Sequence, residues 1–243
     1  MGDNLTIVDL GSGRTAKVIV AGDSHTCAIL DNSAIKCWGA NATGQLGLGD
    51  TNNRGDVSGE MGDSLTAVDL GSGRTATSIT TGTGYTCALL DDNNTKCWGR
   101  GHVGQLGHGK TSDLDSPPNL SIQLGTGRTA TAIEAGNFHT CAVLDNSSIK
   151  CWGLNDSGQL GQGSTSNLGD NTNEINGLPA VDLGAGKNAR AISAGDSHTC
   201  AVLDDASLKC WGSNAFGQLG LGDNSNRGDG SNEMGDNLTS ISL

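Results

Sequence analysis

Eight cysteines are the residues of this 243-residue chain with the clearest capacity for chemistry, and they fall into four pairs. Nine residues separate the partners of each pair, and the pairs recur at intervals of 60, 54 and 59 residues. Thiols at a fixed spacing either form disulfides or bind a metal such as zinc. The pairs are Cys27 and Cys37, Cys87 and Cys97, Cys141 and Cys151, and Cys200 and Cys210.

A histidine lies two residues before the first cysteine of three pairs, at His25, His139 and His198. Zinc would then have only three ligands in each repeat. The second repeat has Tyr85 at this position and still keeps its two cysteines. We therefore expect disulfides rather than zinc, and we expect the histidines to have a structural role in which each donates to a nearby backbone carbonyl.

Each cysteine pair lies in a predicted β-hairpin. In the first repeat, residues 26–30 and 35–38 have the composition of strands and flank a polar turn at 31–33. Cys27 and Cys37 are equally distant from the turn centre, so they should face each other on neighbouring strands. Disulfides in every repeat predict an oxidising compartment, either extracellular or at the cell surface.

Two further strands are predicted upstream of each hairpin, over residues 16–21 and 5–10 in the first repeat. About four short strands per repeat, with glycine-rich turns, are typical of a β-propeller blade. Such a unit cannot bury both faces of its sheet alone, so neighbouring units must stack. The predicted fold is all-β, a propeller of four-stranded antiparallel blades with four repeats present. The repeats span residues 1–60, 61–117, 118–176 and 177–233, with an extra terminal strand over 234–243.

Three motifs recur with few changes: Gly-x-x-His-Thr-Cys-Ala, Lys-Cys-Trp-Gly and Asn-x-x-Gly-Gln-Leu-Gly. Together they resemble the regulator-of-chromosome-condensation repeat family. The linker that contains Asn-Arg-Gly-Asp and Glu-Met-Gly-Asp is similar to the bacterial, cysteine-containing branch of that family. The resemblance covers essentially the whole chain and implies a β-propeller, usually of seven blades, whose rims and loops bind other proteins. The four repeats of this chain depart from that number.

The two ends of the chain lie at the same phase of the repeat. Residues 1–6 match residues 61–66 and 234–239, so Met1 occupies an internal repeat position, and we expect the chain to be a piece of a longer precursor. In a closed ring of four blades, residues 5–10 and 238–243 would compete for one strand position. An open piece of a longer propeller avoids this conflict. So does an assembly in which the end strand of one chain completes the sheet of the next.

Charge and composition exclude several function classes. The net charge of −12 argues against binding to nucleic acid or to an anionic membrane, and no apolar segment is long enough for membrane insertion. Polar residues recur once per repeat instead of converging, so we expect neither an enzyme nor a cofactor. The loops at 50–56 and 223–229 resemble the start of a calcium loop, but an arginine occupies the fifth position of each.

Positions that are the same in all copies are expected to hold the blades together, among them the four tryptophans, which we expect to pack blade against blade. Loop positions that differ between copies can contact a partner, although neutral drift in solvated loops explains the variation equally well. An exposed aromatic in such a loop is a reasonable anchor. The candidate binding residues are Arg100, His102, Asn137, Phe138, Leu154, Asp156 and Phe216.

The predicted function is that of an extracellular, non-catalytic propeller acting as a protein-binding or self-assembling scaffold. Its partners would be another protein, a surface glycan, or copies of itself joined end to end. Two alternatives remain open from the sequence. One is a structural subunit of an extracellular filament or matrix joined through terminal strands, and the other is a domain that targets or inhibits a secreted enzyme.

Overall fold

Twelve strands form four antiparallel three-stranded sheets in the computed structural model, which describes residues 6–241. Each sheet keeps its strands in chain order, so hairpins join consecutive strands. We number the sheets as blades 1 to 4. Blade 1 contains β1 (Ala16–Ala21), β2 (His25–Leu30) and β3 (Ile35–Gly39); blade 2 contains β4 (Ala76–Gly82), β5 (Tyr85–Leu90) and β6 (Thr95–Gly99); blade 3 contains β7 (Ala130–Ala135), β8 (His139–Leu144) and β9 (Ile149–Gly153); blade 4 contains β10 (Ala189–Ala194), β11 (His198–Leu203) and β12 (Leu208–Gly212).

Short helical turns occur in three of the linkers that follow the blades. Glu174–Gly177 forms α1 after blade 3, and 3₁₀ turns form at Gly62–Ser64 after blade 1 and at Gly235–Asn237 after blade 4. Within residues 6–241, none of the helices has the length and apolar character needed to cross a membrane.

The hairpins place the cysteines as the spacing predicts. Cys27 lies directly opposite Cys37 in the β2–β3 pair, with 4.1 Å between their Cα atoms, and the register is the same in every blade. All eight cysteines are joined in the four expected disulfides. Since the thiols are used in this way, none of them can act as a zinc ligand.

The blades have three strands, not the four that the sequence pattern predicts. Residues 6–10 form no strand, and Leu5 lies outside the described residues. The matching segment before blade 2 shows why. The Val68 amide donates to the Ile35 carbonyl of blade 1 (2.9 Å), whereas the Leu70 carbonyl accepts from the Lys96 ammonium of blade 2 (2.9 Å). The segment therefore contacts two different blades and makes at most an isolated bridge to a sheet, as between Leu208 and Ile241 in blade 4, without forming a fourth strand.

A buried lysine in the third strand of each blade fixes that crossing segment. The Lys36 ammonium donates to the carbonyls of Leu10 (2.9 Å) and Gly62 (2.7 Å), and Lys209 makes the same two bonds, to Leu183 and Gly235. Burial lowers the pKa of Lys209, and backbone carbonyls compensate part of the cost of desolvating the charge. These lysines therefore attach the linkers to the blades.

The apolar core consists of three clusters, one between each pair of consecutive blades. The cluster between blades 1 and 2 contains Ile29 and Cys37 from one sheet and Ile79 and Trp98 from the next. Within the described residues, no comparable cluster joins blade 4 to blade 1. The four blades therefore form an open arc with one exposed sheet face at each end.

Candidate binding face

The turns between the first and second strands of all four blades meet around one cavity of about 430 Å³. Each turn contains a glycine beneath the ring of the following histidine or tyrosine. A Cβ on Gly136 would lie 2.2 Å from a ring carbon of His139, and one on Gly82 would lie 2.0 Å from a ring carbon of Tyr85. Glycine is thus the residue that lets the chain pass the ring at this point. The cavity is lined by residues 21–23, 81–83, 135–137 and 194–196.

The loops that follow the Trp-Gly steps lie beside these turns. The Arg100 amide donates to the Gly84 carbonyl, and the Leu154 amide donates to the Phe138 carbonyl, both at 2.8 Å. These bonds hold loops that differ between the copies against the central turns. We call this end of the molecule, made by residues 21–24, 40–43 and their equivalents in the other blades, the axial face.

Three of the predicted binding residues form a cluster on the axial face. The rings of His102 and Phe138 meet edge to face, with centroids 5.4 Å apart and an interplanar angle of 78°. The Arg100 guanidinium carbon lies 5.7 Å from the centroid of the Phe138 ring. Arg100 and His102 come from the loop of blade 2 and Phe138 from the turn of blade 3. The cluster thus joins a cation, an imidazole and an aromatic ring across two blades.

The surroundings of the cluster disfavour the charged form of its histidine. Partial burial lowers the pKa of His102, and the neighbouring Arg100 charge lowers it further, against the opposite effect of Asp113. Arg100 is therefore the cation of the cluster. A guanidinium beside an aromatic ring can bind a carboxylate and an apolar or aromatic side chain at the same time.

Asn137 and Leu154 have structural contacts next to the cluster. The Asn137 side-chain oxygen accepts from the Thr83 hydroxyl (3.1 Å), and the Asn137 amide donates to the Asp196 carbonyl (3.2 Å). Asn137 therefore links the turns of three blades. Leu154 touches the cluster through the backbone of Phe138.

Asp156 and Phe216 lie on the loops of blades 3 and 4. The Asp156 carboxylate is exposed and accepts from the Gln159 amide (3.2 Å) and the Ser157 hydroxyl (3.1 Å). Phe216 is 94% exposed, at the open end of the arc. The structure therefore unites Arg100, His102 and Phe138 and leaves Phe216 apart from them.

The repeats of this chain match a known protein family. Two family models, both described as the regulator of chromosome condensation (RCC1) repeat, match the chain. One matches residues 17–45, 130–159 and 189–218, and the other matches residues 97–143 and 151–202. The chain belongs to the RCC1 repeat family.

Curated relatives agree with this assignment. The ultraviolet-B receptor UVR8 of Arabidopsis thaliana is 35% identical over 216 residues, which cover 88% of this chain and 45% of the receptor. The E3 ubiquitin-protein ligase HERC2 of Homo sapiens is 27% identical over 223 residues, covering 90% of this chain and 4% of the ligase. The RCC1 repeats described here thus span less than half the length of these relatives.

Solved structures share the fold. Human WBSCR16 aligns with a TM-score of 0.73 and 19% identity, over 94% of this chain and 53% of that protein. Prp20p of Saccharomyces cerevisiae aligns with a TM-score of 0.63 and 20% identity, over 86% and 46% of the two chains. The resemblance to RCC1 propellers inferred from the motifs is confirmed.

The histidines of the RCC1 repeat bond differently from the sequence expectation. His25 Nε2 lies 2.9 Å from the hydroxyl of Thr86, a side chain of the next blade, and not against a backbone carbonyl. The Thr86 hydroxyl donates to the Gln45 carbonyl (2.8 Å), so Nε2 must carry the proton and donate to the threonine. Burial lowers the pKa of His25 to about 4. The threonine was recognisable in the sequence only by its presence in every copy.

The loop that resembles the start of a calcium site is closed by its own arginine. The Arg54 guanidinium donates to the Asp50 carboxylate at 2.6 Å and to the carbonyls of Asn52 and Asn53. This bond lowers the pKa of Asp50. Arg54 begins an Arg-Gly-Asp tripeptide, and the same contacts hold its side chain against its own loop.

A second cavity, of about 510 Å³, lies at the rim between the linkers that follow blades 2 and 3. The linker after blade 2 belongs to the shortest repeat, since the first cysteines of the second and third pairs are only 54 positions apart. The wall of the cavity contains Leu106, Ile122 and Ile175, and Leu120 beside it is 79% exposed. None of the candidate binding residues predicted from the sequence lines this cavity, because its walls come from two linkers that are about fifty residues apart in the chain.

Proposed function

We propose that this chain is an extracellular, non-catalytic protein-binding propeller whose axial face carries the binding site. The observation that carries the proposal is the Arg100–His102–Phe138 cluster. Its members lie at loop positions that differ between copies, and they converge from two blades. Residues needed only to hold a blade would recur in all four copies, and these do not.

The chemistry of the cluster defines the partner. Arg100 offers a guanidinium to a carboxylate, and Phe138 offers an apolar surface to a side chain beside that carboxylate. We therefore expect the partner to be a protein segment that combines an acidic and an apolar residue. The fold supports a protein partner, since Prp20p, which shares it, is described with its binding to Gsp1p and histones.

The extracellular setting rests on the four disulfides. Disulfides persist in oxidising compartments and are rare in the cytosol. The partners of each disulfide are ten positions apart in the sequence. For a loop of this length, the chain-entropy model gives a stabilisation of the folded state of about 2.5–3 kcal/mol. A chain with a disulfide in every blade is suited to a secreted environment.

A displayed peptide library, selected on the immobilised chain, tests the binding site. We expect the selected peptides to share an acidic residue next to an apolar one, and to bind Phe138→Ala and Arg100→Ala at least about tenfold more weakly than wild type. Phe216→Ala is the matched control, since it removes the other phenylalanine, outside the cluster, and should leave the affinity unchanged. Peptides that bind Phe138→Ala as tightly as wild type, or a selection that returns none, would contradict the proposal.

A further inference from the structure

The glutamine of the Gly-Gln-Leu-Gly motif is held in the same way in every blade. Its side-chain oxygen accepts from the backbone amide two positions earlier, as Gln105 does from Val103 at 3.0 Å, and the other three blades have the same bond. The Gln105 backbone carbonyl accepts from the Thr140 hydroxyl and the Trp152 indole N–H of the next blade, both at 3.0 Å. The other two junctions between consecutive blades have the same pair of bonds. The side-chain NH₂ group must therefore point in the same direction in each copy.

Blades 3 and 4 supply an acceptor for this NH₂ group from the loop that follows the Trp-Gly step. Gln159 Nε2 donates to the Asp156 carboxylate (3.2 Å), and Gln218 Nε2 donates to the Ser213 hydroxyl (3.4 Å). The two acceptors lie three and five positions before their glutamines. In these blades the side-chain amide is thus satisfied within its own loop.

Blade 2 has no acceptor bonded to its glutamine from either position. His102 lies three positions before Gln105 and Arg100 lies five positions before it, and a guanidinium cannot accept a hydrogen bond. Gln105 is 0% exposed, and its Nε2 atom has no hydrogen-bond partner among residues 6–241. Within the same residues the Arg100 guanidinium has no hydrogen bond or ion pair, and it lies beside the Phe138 ring. Two kinds of donor therefore occur together here without an acceptor, which costs free energy for the buried one.

The loop of blade 2 also lacks a bond that holds the other three loops. In blade 3 the Asn155 side-chain oxygen accepts from the Leu160 backbone amide (3.0 Å), and blades 1 and 4 have the same bond. Blade 2 has Gly101 at this position, which has no side chain to make it. His102 follows this glycine and is exposed, so its ring can turn without breaking a hydrogen bond.

We propose that the cluster binds a carboxylate through the Arg100 guanidinium and Gln105 Nε2, once the His102 ring has turned aside. The carboxylate takes the place that the Asp156 side chain has in blade 3, where the same amide already bonds a carboxylate. A carboxylate is favoured over an amide or a hydroxyl because Arg100 has no counter-ion within residues 6–241. This inference rests on the proposed function and extends it, since it makes Gln105 a residue that determines specificity.

The side-chain amide of Gln105 can be observed directly by NMR in the 243-residue chain. The probe is acetyl-aspartyl-phenylalanine amide, which has a side-chain carboxylate next to an aromatic ring. We expect both Gln105 amide protons and the Phe138 ring protons to shift during the titration. The asparaginyl analogue, which lacks the charge, should bind at least about tenfold more weakly. Acetyl-phenylalanine has its carboxylate at a chain terminus, so the tighter of the two carboxylate probes identifies the source of the group.

The two proposals fail in different ways in this experiment. Shifts at Phe138 with no change at Gln105 would overturn the role of Gln105 and leave the proposed function in place. Equal binding of the aspartyl and asparaginyl peptides would overturn the selection of a carboxylate. No shift at either residue would contradict both proposals.

A side chain placed inside the loop gives a second test. His102→Asn supplies an uncharged acceptor where Asp156 lies in blade 3, whereas His102→Ala removes the same ring and supplies none. The thermal midpoint of His102→Asn should exceed that of His102→Ala by at least about 2 °C, because Gln105 gains a partner. His102→Asn should also bind the aspartyl peptide at least about tenfold more weakly than His102→Ala, because its own amide fills the place of the carboxylate.

Ala215→Asn in blade 4 is the matched control for this pair of variants. Ala215 has the position of His102, but Gln218 already donates to Ser213, so both the midpoint and the affinity should stay unchanged. Equal midpoints for His102→Asn and His102→Ala, or equal affinities, would overturn the inference, while Arg100→Ala and Phe138→Ala still test the proposed function.

Discussion

At the scale of single residues, the buried His139 between blades 3 and 4 makes stability depend on pH. Burial, together with the smaller effect of the neighbouring His198, lowers the pKa of His139 from 6.5 to about 4. The unfolded chain therefore takes up the proton first as the pH falls below 6.5. The free energy of unfolding should decrease between pH 6.5 and pH 4, by about 3 kcal/mol for this residue, and level off below that range.

The chain itself supplies the test, because Tyr85 occupies this position in blade 2. Its hydroxyl donates to the His139 carbonyl of the next blade at 2.6 Å. His139→Tyr should reach the His198 carbonyl in the same way, since Gly136 lies beneath the ring at position 139 as Gly82 lies beneath the ring of Tyr85. Urea unfolding at pH 7 and pH 5 should show a smaller loss of stability for this variant than for wild type. An unchanged loss would mean that His139 does not titrate in this range.

At the scale of the strand pair, the four disulfides have the same geometry but different surroundings. Cys27, Cys87 and Cys141 are fully buried by the following blade, whereas Cys200 is half-buried on the end face of blade 4. Thiol–disulfide exchange requires access to the sulfur. In dilute protein, we expect a mild reductant to open Cys200–Cys210 at least about tenfold faster than Cys141–Cys151. Alkylation followed by peptide mass spectrometry measures the order, and simultaneous opening of all four bonds would contradict it.

Most features within one repeat could be predicted from the sequence, because they depend on local spacing. The hairpin register and the cysteine pairing both follow from residues less than twenty positions apart. The missing fourth strand could not, since the backbone groups of Val68 and Leu70 bond to two different blades. The Arg100–Phe138 contact likewise depends on how two blades are placed side by side.

At the scale of the whole molecule, the charge opposes the compact state. The chain carries a net charge of −12, and like charges repel each other more strongly when the chain is folded than when it is unfolded. Salt screens this repulsion. The urea concentration at the midpoint of unfolding should therefore rise when sodium chloride is raised from about 0.05 M to about 0.5 M. A midpoint that falls with salt would show that favourable ion pairs outweigh the repulsion.

The hydrogen bonds between consecutive blades also bear on how proteins of this kind can arise. Every junction between blades uses the same carbonyl, hydroxyl and indole, so a repeat duplicated in the gene would meet its neighbours through contacts that already exist. Loss of a repeat would likewise bring together two halves that fit. Chain length can therefore change in steps of one blade without a new interface having to evolve.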